Sequence, residues 1–235
     1  MRLSDFVGGK FSPQAPFLTQ ALLFDLDGTL LDSAPDLTTA IDCMLIELGY
    51  QAAGIERVRT WVGDGARQLV IEALQFAQAS TADENVSEAL HIYQHHYAAC
   101  LTQSSQLFAG VREALQHWGE RGLRMACVTN KGARFTEPLI DHFGLREILP
   151  VVISGDTLPQ RKPDPAPLLE ACRQLNVSPQ HALMIGDSRN DVRAARATNM
   201  PVICVRHGYN HGRLIENENP DVIVDSLLDL VGCFG

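Results

Sequence analysis

Short apolar runs, each closed by a polar or acidic group, recur along the chain. ALLFDLD (21–27), LRMACVTN (123–130), VVISGD (151–156), ALMIGDS (182–188) and PVICVRHG (201–208) are the clearest, and DVIVDS (221–226) is a weaker sixth. Runs of this length and apolarity suit strands buried on both faces. Helical spacing fills the gaps between them. VREALQHWGERG (111–122) and ARFTEPLIDHFG (133–144) each close on glycine, a common helix stop. PAPLLEACRQLN (165–176) opens with proline, which the first turn tolerates, and NDVRAARATN (190–199) completes the set. Strand and helix alternating in this way predict a doubly wound, Rossmann-like parallel α/β sheet with right-handed crossovers and 221–226 at its edge.

One interval breaks the alternation. Residues 34–107 contain no convincing strand, and Leu37, Ile41, Met44, Leu45 and Leu48 share one helical face. GARQLVIEALQF and ENVSEALHIYQHHYAACL show similar spacing. The interval predicts a small helical bundle inserted after the first strand. The expected organisation is a loosely ordered leader (1–20), an α/β core (21–33 and 108–235) and the helical insertion (34–107).

Polar groups at the strand ends carry the chemistry. The first run ends in Asp25 and Asp27, which point the same way if the chain stays extended, so the like charges need a cation, a shared proton or a donor beside them. The second run ends in Thr129 and Asn130, the fourth in Asp187 with Asp191 four residues on, and Lys162 lies in RKPDP after the third. Each has an ordinary reading alone: a turn, a helix cap, a solvated lysine. Their recurrence at successive strand ends is another matter, because those ends form the ligand crevice of an open parallel sheet. Acids for a hard cation such as Mg²⁺, a nucleophile, and donors for phosphoryl oxygens are what phosphoryl transfer needs.

Charge and composition narrow the partners. A formal net charge of −9 without a basic cluster argues against nucleic acid. No apolar run approaches the roughly 18 residues of a membrane helix, and the first twenty residues lack the apolar stretch of a signal peptide. The six cysteines are widely spaced with no CxxC pair, which fits reduced thiols in the cytoplasm. A monomer or homodimer acting on a small molecule is expected.

At these residues the chain resembles the haloacid-dehalogenase (HAD) superfamily of phosphohydrolases. LLFDLDGT matches its first motif, VTN its second, Lys162 in RKPDP its third and GDSRND its fourth. Within the superfamily, ISGDTLPQRKPDPAPLL, IGDSRNDVRAA and HGYNHG are similar to sequences of the bacterial phosphoglycolate phosphatase branch. The resemblance implies a HAD fold whose helical insertion is a cap. It implies that Asp25 is the nucleophile forming an aspartyl phosphate, and that Asp27 protonates the leaving group and then activates water. Mg²⁺ is expected on Asp25, the Asp27 backbone carbonyl and Asp187, with Asp191 in support, and Thr129, Asn130 and Lys162 are expected around the phosphate. Dehalogenases of this fold lack the acid at position 27, so Asp27 favours phosphate ester chemistry.

Other small-molecule phosphatases (of sugar phosphates, nucleotides or pyrophosphate), a phosphomutase and a receiver-like phosphoaspartate domain share parts of this set. In WVGDGARQLV (61–70), the glycines suggest a loop over the site and Arg67 a donor for a substrate carboxylate, against the alternative of a helix–helix turn with a solvated arginine. His91, His95 and His96 are expected to be ordinary helix-face residues. HGYNHG lies near the rim without an assigned part.

Overall fold

The computed structural model of the protein describes residues 19–234, so the expected leader lies almost wholly outside the described residues. Strands β1 (Ala21–Phe24), β4 (Arg124–Val128), β5 (Val151–Ile153), β6 (Ala182–Gly186), β7 (Val202–Val205) and β8 (Val222–Val224) form one parallel sheet in the order β5-β4-β1-β6-β7-β8. β1 is central, with Phe24 beside Cys127 on one neighbour and Ile185 on the other. All six expected strands form, but each stops short of its polar tail. The acids, hydroxyls and amides at the tails have turned out of the ladder into the loops above it.

The two-residue period of the strands explains the doubly wound layers. Leu22 and Phe24 face one side, where they pack with Leu115 and Trp118 of α5 (Val111–Glu120) and Leu139 and Ile140 of α6 (Ala133–His142). Ala21 and Leu23 face the other, against Leu168 and Ala171 of α7 (Ala166–Leu175) and Ala194 and Ala195 of α8 (Arg189–Ala197). The Trp118 and Phe24 rings stack with centroids 5.8 Å apart. Fully burying such a side chain stabilises by about 1.5–3 kcal/mol, so this face anchors the central strand.

Four helices fill the interval after β1: α1 (Ala34–Glu47), α2 (Ile55–Trp61), α3 (Ala66–Phe76) and α4 (Asp83–Cys100). They have a core of their own, in which Leu37, Ile41, Met44 and Leu45 meet Val70, Val86 and Tyr93. The expectation of no strand between 34 and 107 needs one correction. Gln106–Leu107 is a strand, β3, and pairs antiparallel with β2 (Leu31–Asp32). Two-residue strands are too short to carry periodicity. This ribbon ties the outgoing chain to the returning one where the helical group joins the sheet.

Asp36 locks the same junction. Its carboxylate is 1% exposed and accepts from Ser104 N (2.9 Å), Ser105 N (2.8 Å) and Ser105 Oγ (2.6 Å). Asp36→Ala strands buried donors, so it should destabilise the protein by about 2–4 kcal/mol. Urea unfolding checks this, and a loss below about 0.5 kcal/mol would show that the junction is held elsewhere.

Candidate active site

Where β1 ends, the chain turns sharply. Asp25 N still donates to Ile185 O (3.0 Å), the last rung toward β6, and Leu26 N then folds back onto Asp25 Oδ1 (2.7 Å). Gly28 follows with φ +87°, and a Cβ there would lie 2.4 Å from Asp187 Oδ2, so only glycine fits the turn. A Cβ at Gly208 would fall 2.0 Å from the Asp187 Cβ. Two bare backbones therefore close around Asp187. Its Oδ1 accepts from Thr29 Oγ1 (2.8 Å) and its Oδ2 from Tyr209 N (2.8 Å).

Asp191 stands in the first turn of α8 as the partner of Ser188 in a capping box. Its Oδ2 accepts from Ser188 N (3.0 Å), Ser188 Oγ (2.7 Å) and Asp187 N (3.2 Å), and its Oδ1 from Lys162 Nζ (2.7 Å). Lys162 also reaches Asp25 Oδ1 at 3.0 Å. The four side chains expected from the sequence, Asp25, Lys162, Asp187 and Asp191, thus converge, and all are buried.

One ammonium faces three carboxylates here, a deficit of two positive charges. Burial pushes the Asp25 carboxyl up to about 7; Lys162 pulls it down and Asp191 adds to the rise. Burial, then Asp25 and Asp191, hold Asp187 well above the usual carboxylate range. Burial opposes the charge on Lys162, but Asp191 and Asp25 more than offset it and raise its affinity for the proton. One oxygen from each of Asp25, Asp187 and Asp191 lies within 4.8 Å of the others. Oxygen donors of uncompensated negative charge suit a hard divalent cation. Asp191 already accepts four protein hydrogen bonds, so it fits as a support for the ion's direct ligands.

Asp27 and Asp25 both line the cavity beside this cluster. Both Asp27 oxygens lie 3.0 Å from Lys131 Nζ, and Ser33 Oγ donates to Oδ1. Lys131 was not singled out from the sequence, although it directly follows VTN. Thr129 and Asn130 line this cavity as well. Asn130 Nδ2 donates to Lys162 O (2.8 Å) and Gly63 O (2.9 Å), while its buried Oδ1 has no partner.

The helical group covers the site through the loop between α2 and α3. Gly63 and Gly65 line the cavity, as the WVGDG sequence suggested. Asp64 Oδ1 accepts from Asn190 Nδ2 (2.7 Å) and Oδ2 from Arg189 Nη2 (3.0 Å), and His211 Nε2 stands 3.8 Å from the same Oδ2. HGYNHG also receives a place, because Tyr209 Oη donates to Asp32 Oδ1 (2.6 Å) while its backbone N–H holds Asp187. Arg67 is corrected. It pairs with exposed Asp83 at 2.5 Å and is absent from the cavity lining, because its position on α3 turns it outward. His96 pairs with Glu47 on the helix surface, in line with an ordinary helix-face role.

The family of haloacid dehalogenase-like hydrolases matches residues 22–205. A phosphoglycolate phosphatase of Nitrosococcus oceani is 44% identical over 212 residues, covering 90% of this chain and 94% of the relative. One from Thiobacillus denitrificans is 44% identical over 215 residues, covering 91% and 95%. Among solved structures, a predicted phosphoglycolate phosphatase from Haemophilus somnus superposes with a TM-score of 0.87 at 31% identity, covering 91% of this chain and 97% of that one. A putative phosphoglycolate phosphatase from Lactobacillus delbrueckii shares the fold, with a TM-score of 0.85 at 24% identity.

The charge deficit has a measurable consequence for stability. Asp25 shifts from 3.8 to about 7, so the folded state retains a proton that the unfolded chain releases. The contribution of Asp25 to stability is therefore full below about pH 4 and is lost as pH rises through about 7. Asp25→Asn removes one of the crowded charges and should raise the melting temperature at pH 8 in chelator by on the order of 5 °C. Thermal melts at pH 5 and pH 8 test this; a variant that melts lower than the parent at pH 8 would contradict the sign.

Proposed function

The chain belongs to the haloacid dehalogenase-like hydrolase family and is a phosphatase; we propose that its substrate is 2-phosphoglycolate and that Asp25 is its nucleophile. The observation that carries the chemistry is Asp25 at the end of the central strand, fixed by Leu26 N and Lys162 and flanked by Asp187. The names of the relatives support the substrate. In the first step an Asp25 carboxylate oxygen bonds to phosphorus as the bond to the glycolate oxygen breaks, and Asp27 gives its proton to that oxygen. In the second, water bonds to phosphorus, Asp27 takes the water's proton, and Asp25 leaves as carboxylate. Atoms and protons balance over the cycle.

Lys162 and Thr129 orient the phosphoryl oxygens. An ammonium has three N–H donors, of which Asp25 and Asp191 engage two, leaving one for substrate. Mg²⁺ fits beside Asp25 and Asp187, with Asp191 behind them, and when bound it would neutralise charge on the transferring group. The helical insertion acts as a cap that excludes water and selects by size. The cavity beneath it is narrow, about 50 Å³, in keeping with a small ester. The buried thiols of Cys127, Cys172 and Cys204 support a cytoplasmic setting.

A panel of phosphate monoesters with Mg²⁺ tests the reading. 2-Phosphoglycolate should show the highest kcat/KM, and Asp25→Ala should lower kcat by at least about 10³-fold. Better turnover of a sugar phosphate or nucleotide would overturn the substrate. An Asp25→Ala variant keeping about a tenth of kcat would overturn the nucleophile.

Metal binding should compete with the proton on Asp25. Since Asp25 titrates near 7 without metal and the ion needs the carboxylate, Mg²⁺ affinity should fall about tenfold from pH 8 to pH 6. Calorimetric titrations of the phosphate-free protein measure this, and equal affinity at the two pH values would count against Asp25 as a ligand.

A further inference from the structure

With Arg67 turned outward, the cavity still has to recognise whatever distinguishes the substrate from other small esters. Lys131 is the one cationic side chain among the residues that line it. Its backbone is fixed by three hydrogen bonds: Lys131 N to Thr129 Oγ1 (3.2 Å), Gly155 N to Lys131 O (2.7 Å) and Thr136 Oγ1 to Lys131 O (3.1 Å). Its side chain is 6% exposed, and the ammonium lies 4.9 Å above the centre of the Tyr97 ring. An ammonium buried this deeply, with a single carboxylate partner, retains donor capacity for a second anion.

Two further features face the same space. Helix α3 begins at Ala66 behind Gly65, and no side chain caps it. Its first backbone bond is Leu69 N to Gly65 O (3.1 Å), so the N–H groups of residues 66–68 have no acceptor within the helix. Gly65 and Ala66 line the cavity, which places the positive end of the helix dipole there. Tyr97, 1% exposed and also in the lining, has a buried hydroxyl without a partner. Burial keeps its phenol protonated, and so a donor. Leu37, Val62, Leu69 and Phe135 make the remaining wall apolar.

We propose that Lys131, the Tyr97 hydroxyl and the N-terminal amides of α3 form a carboxylate subsite that determines specificity for the non-phosphate end of the substrate. The subsite rests on the reading of the substrate as 2-phosphoglycolate. On that reading Lys162 and Thr129 take the phosphate beside Asp25, and Lys131, paired with Asp27 in the cavity wall, is the cation left to meet the far end of a two-carbon ester. The core loop supplies the ammonium and the cap supplies the amides and the phenol. The carboxylate therefore binds fully only when the cap is closed. A substrate without this group leaves the Tyr97 hydroxyl and the α3 amides without an acceptor, which is how a small site rejects an ester of similar size.

Ethyl phosphate has the same chain length with a methyl group in place of the carboxylate, so it separates the subsite from the chemistry. Wild type, Lys131→Met, Lys131→Arg and Tyr97→Phe are compared on 2-phosphoglycolate and ethyl phosphate, with circular dichroism verifying each fold. Lys131 also touches Asp27, so the reading is the ratio of losses on the two substrates. Lys131→Met should lose at least about 30-fold more kcat/KM on 2-phosphoglycolate than on ethyl phosphate, and Lys131→Arg should recover part of that difference. Tyr97→Phe should lose roughly 3–10-fold, chiefly in KM and only on 2-phosphoglycolate. If Lys131→Met fails to fold, Lys131→Arg and Tyr97→Phe still decide the matter. Equal losses on both esters, in a wild type that prefers 2-phosphoglycolate, would overturn the subsite and leave the substrate standing. A wild type with no preference between the esters would overturn both.

Discussion

Three carboxylates buried around one ammonium are the constraint to which the rest of this structure answers. Asp25, Asp187 and Asp191 come from the end of the central strand, the end of its neighbour and the first turn of the following helix, and Lys162 comes from a loop beyond the sheet edge. No local segment assembles such a group. The parallel order with β6 beside β1 brings two of the acids together at the carboxyl edge of the sheet. Glycine at 28 and 208 lets the backbone close to within contact of Asp187. The capping box fixes Asp191 while it stabilises α8. Helix start, strand order and turn thus serve one electrostatic object.

That object, taken alone, destabilises the fold. Removing charge from water is expensive, and a single lysine does not offset three acids at these distances. The compensation is spread through the molecule: the stacked Phe24 and Trp118 behind the strand, the two apolar layers beside the sheet, and the hydrogen bonds that hold each carboxylate in place. A divalent cation would find a negative field prepared for it there. The protein as a whole carries −9 and likewise repels phosphate at long range, so the positive charge that meets a phosphate has to be local. Stability is low at the place where binding restores it.

The sheet was legible because burial on both faces forces an unbroken apolar run, and the acids were legible because they interrupt those runs at one end. Strand lengths were overread for the same reason: Asp25 and Thr129 make one last ladder bond each and the chain then turns away, so Asp27 and Asn130 continue the run in sequence but not in space. The two-residue ribbon had no period to detect. Lys131 went unread because a loop lysine is ordinarily solvated, and its partner lies 104 residues earlier in the chain. Its one signal was its position, directly after the motif hydroxyl and amide. Arg67 was overread for the converse reason: an arginine near a glycine loop has suitable chemistry, but the 100° advance per residue along α3 decides its direction, and Ala66 faces inward in its place. Long-range pairs such as Asp64 with Arg189 leave no trace in a single sequence.

Leu37, Leu69 and Phe135 wall the cavity between the sheet edge and the helical group with apolar surface. The latch of Asp64 on Arg189 and Asn190 is polar, and its Asp64–Arg189 pair is partly open to solvent, so it exchanges with water more readily than a buried pair. A cap held by it can open every cycle. Tight chemistry at the sheet edge and loose closure above it are what a hydrolase of small esters requires.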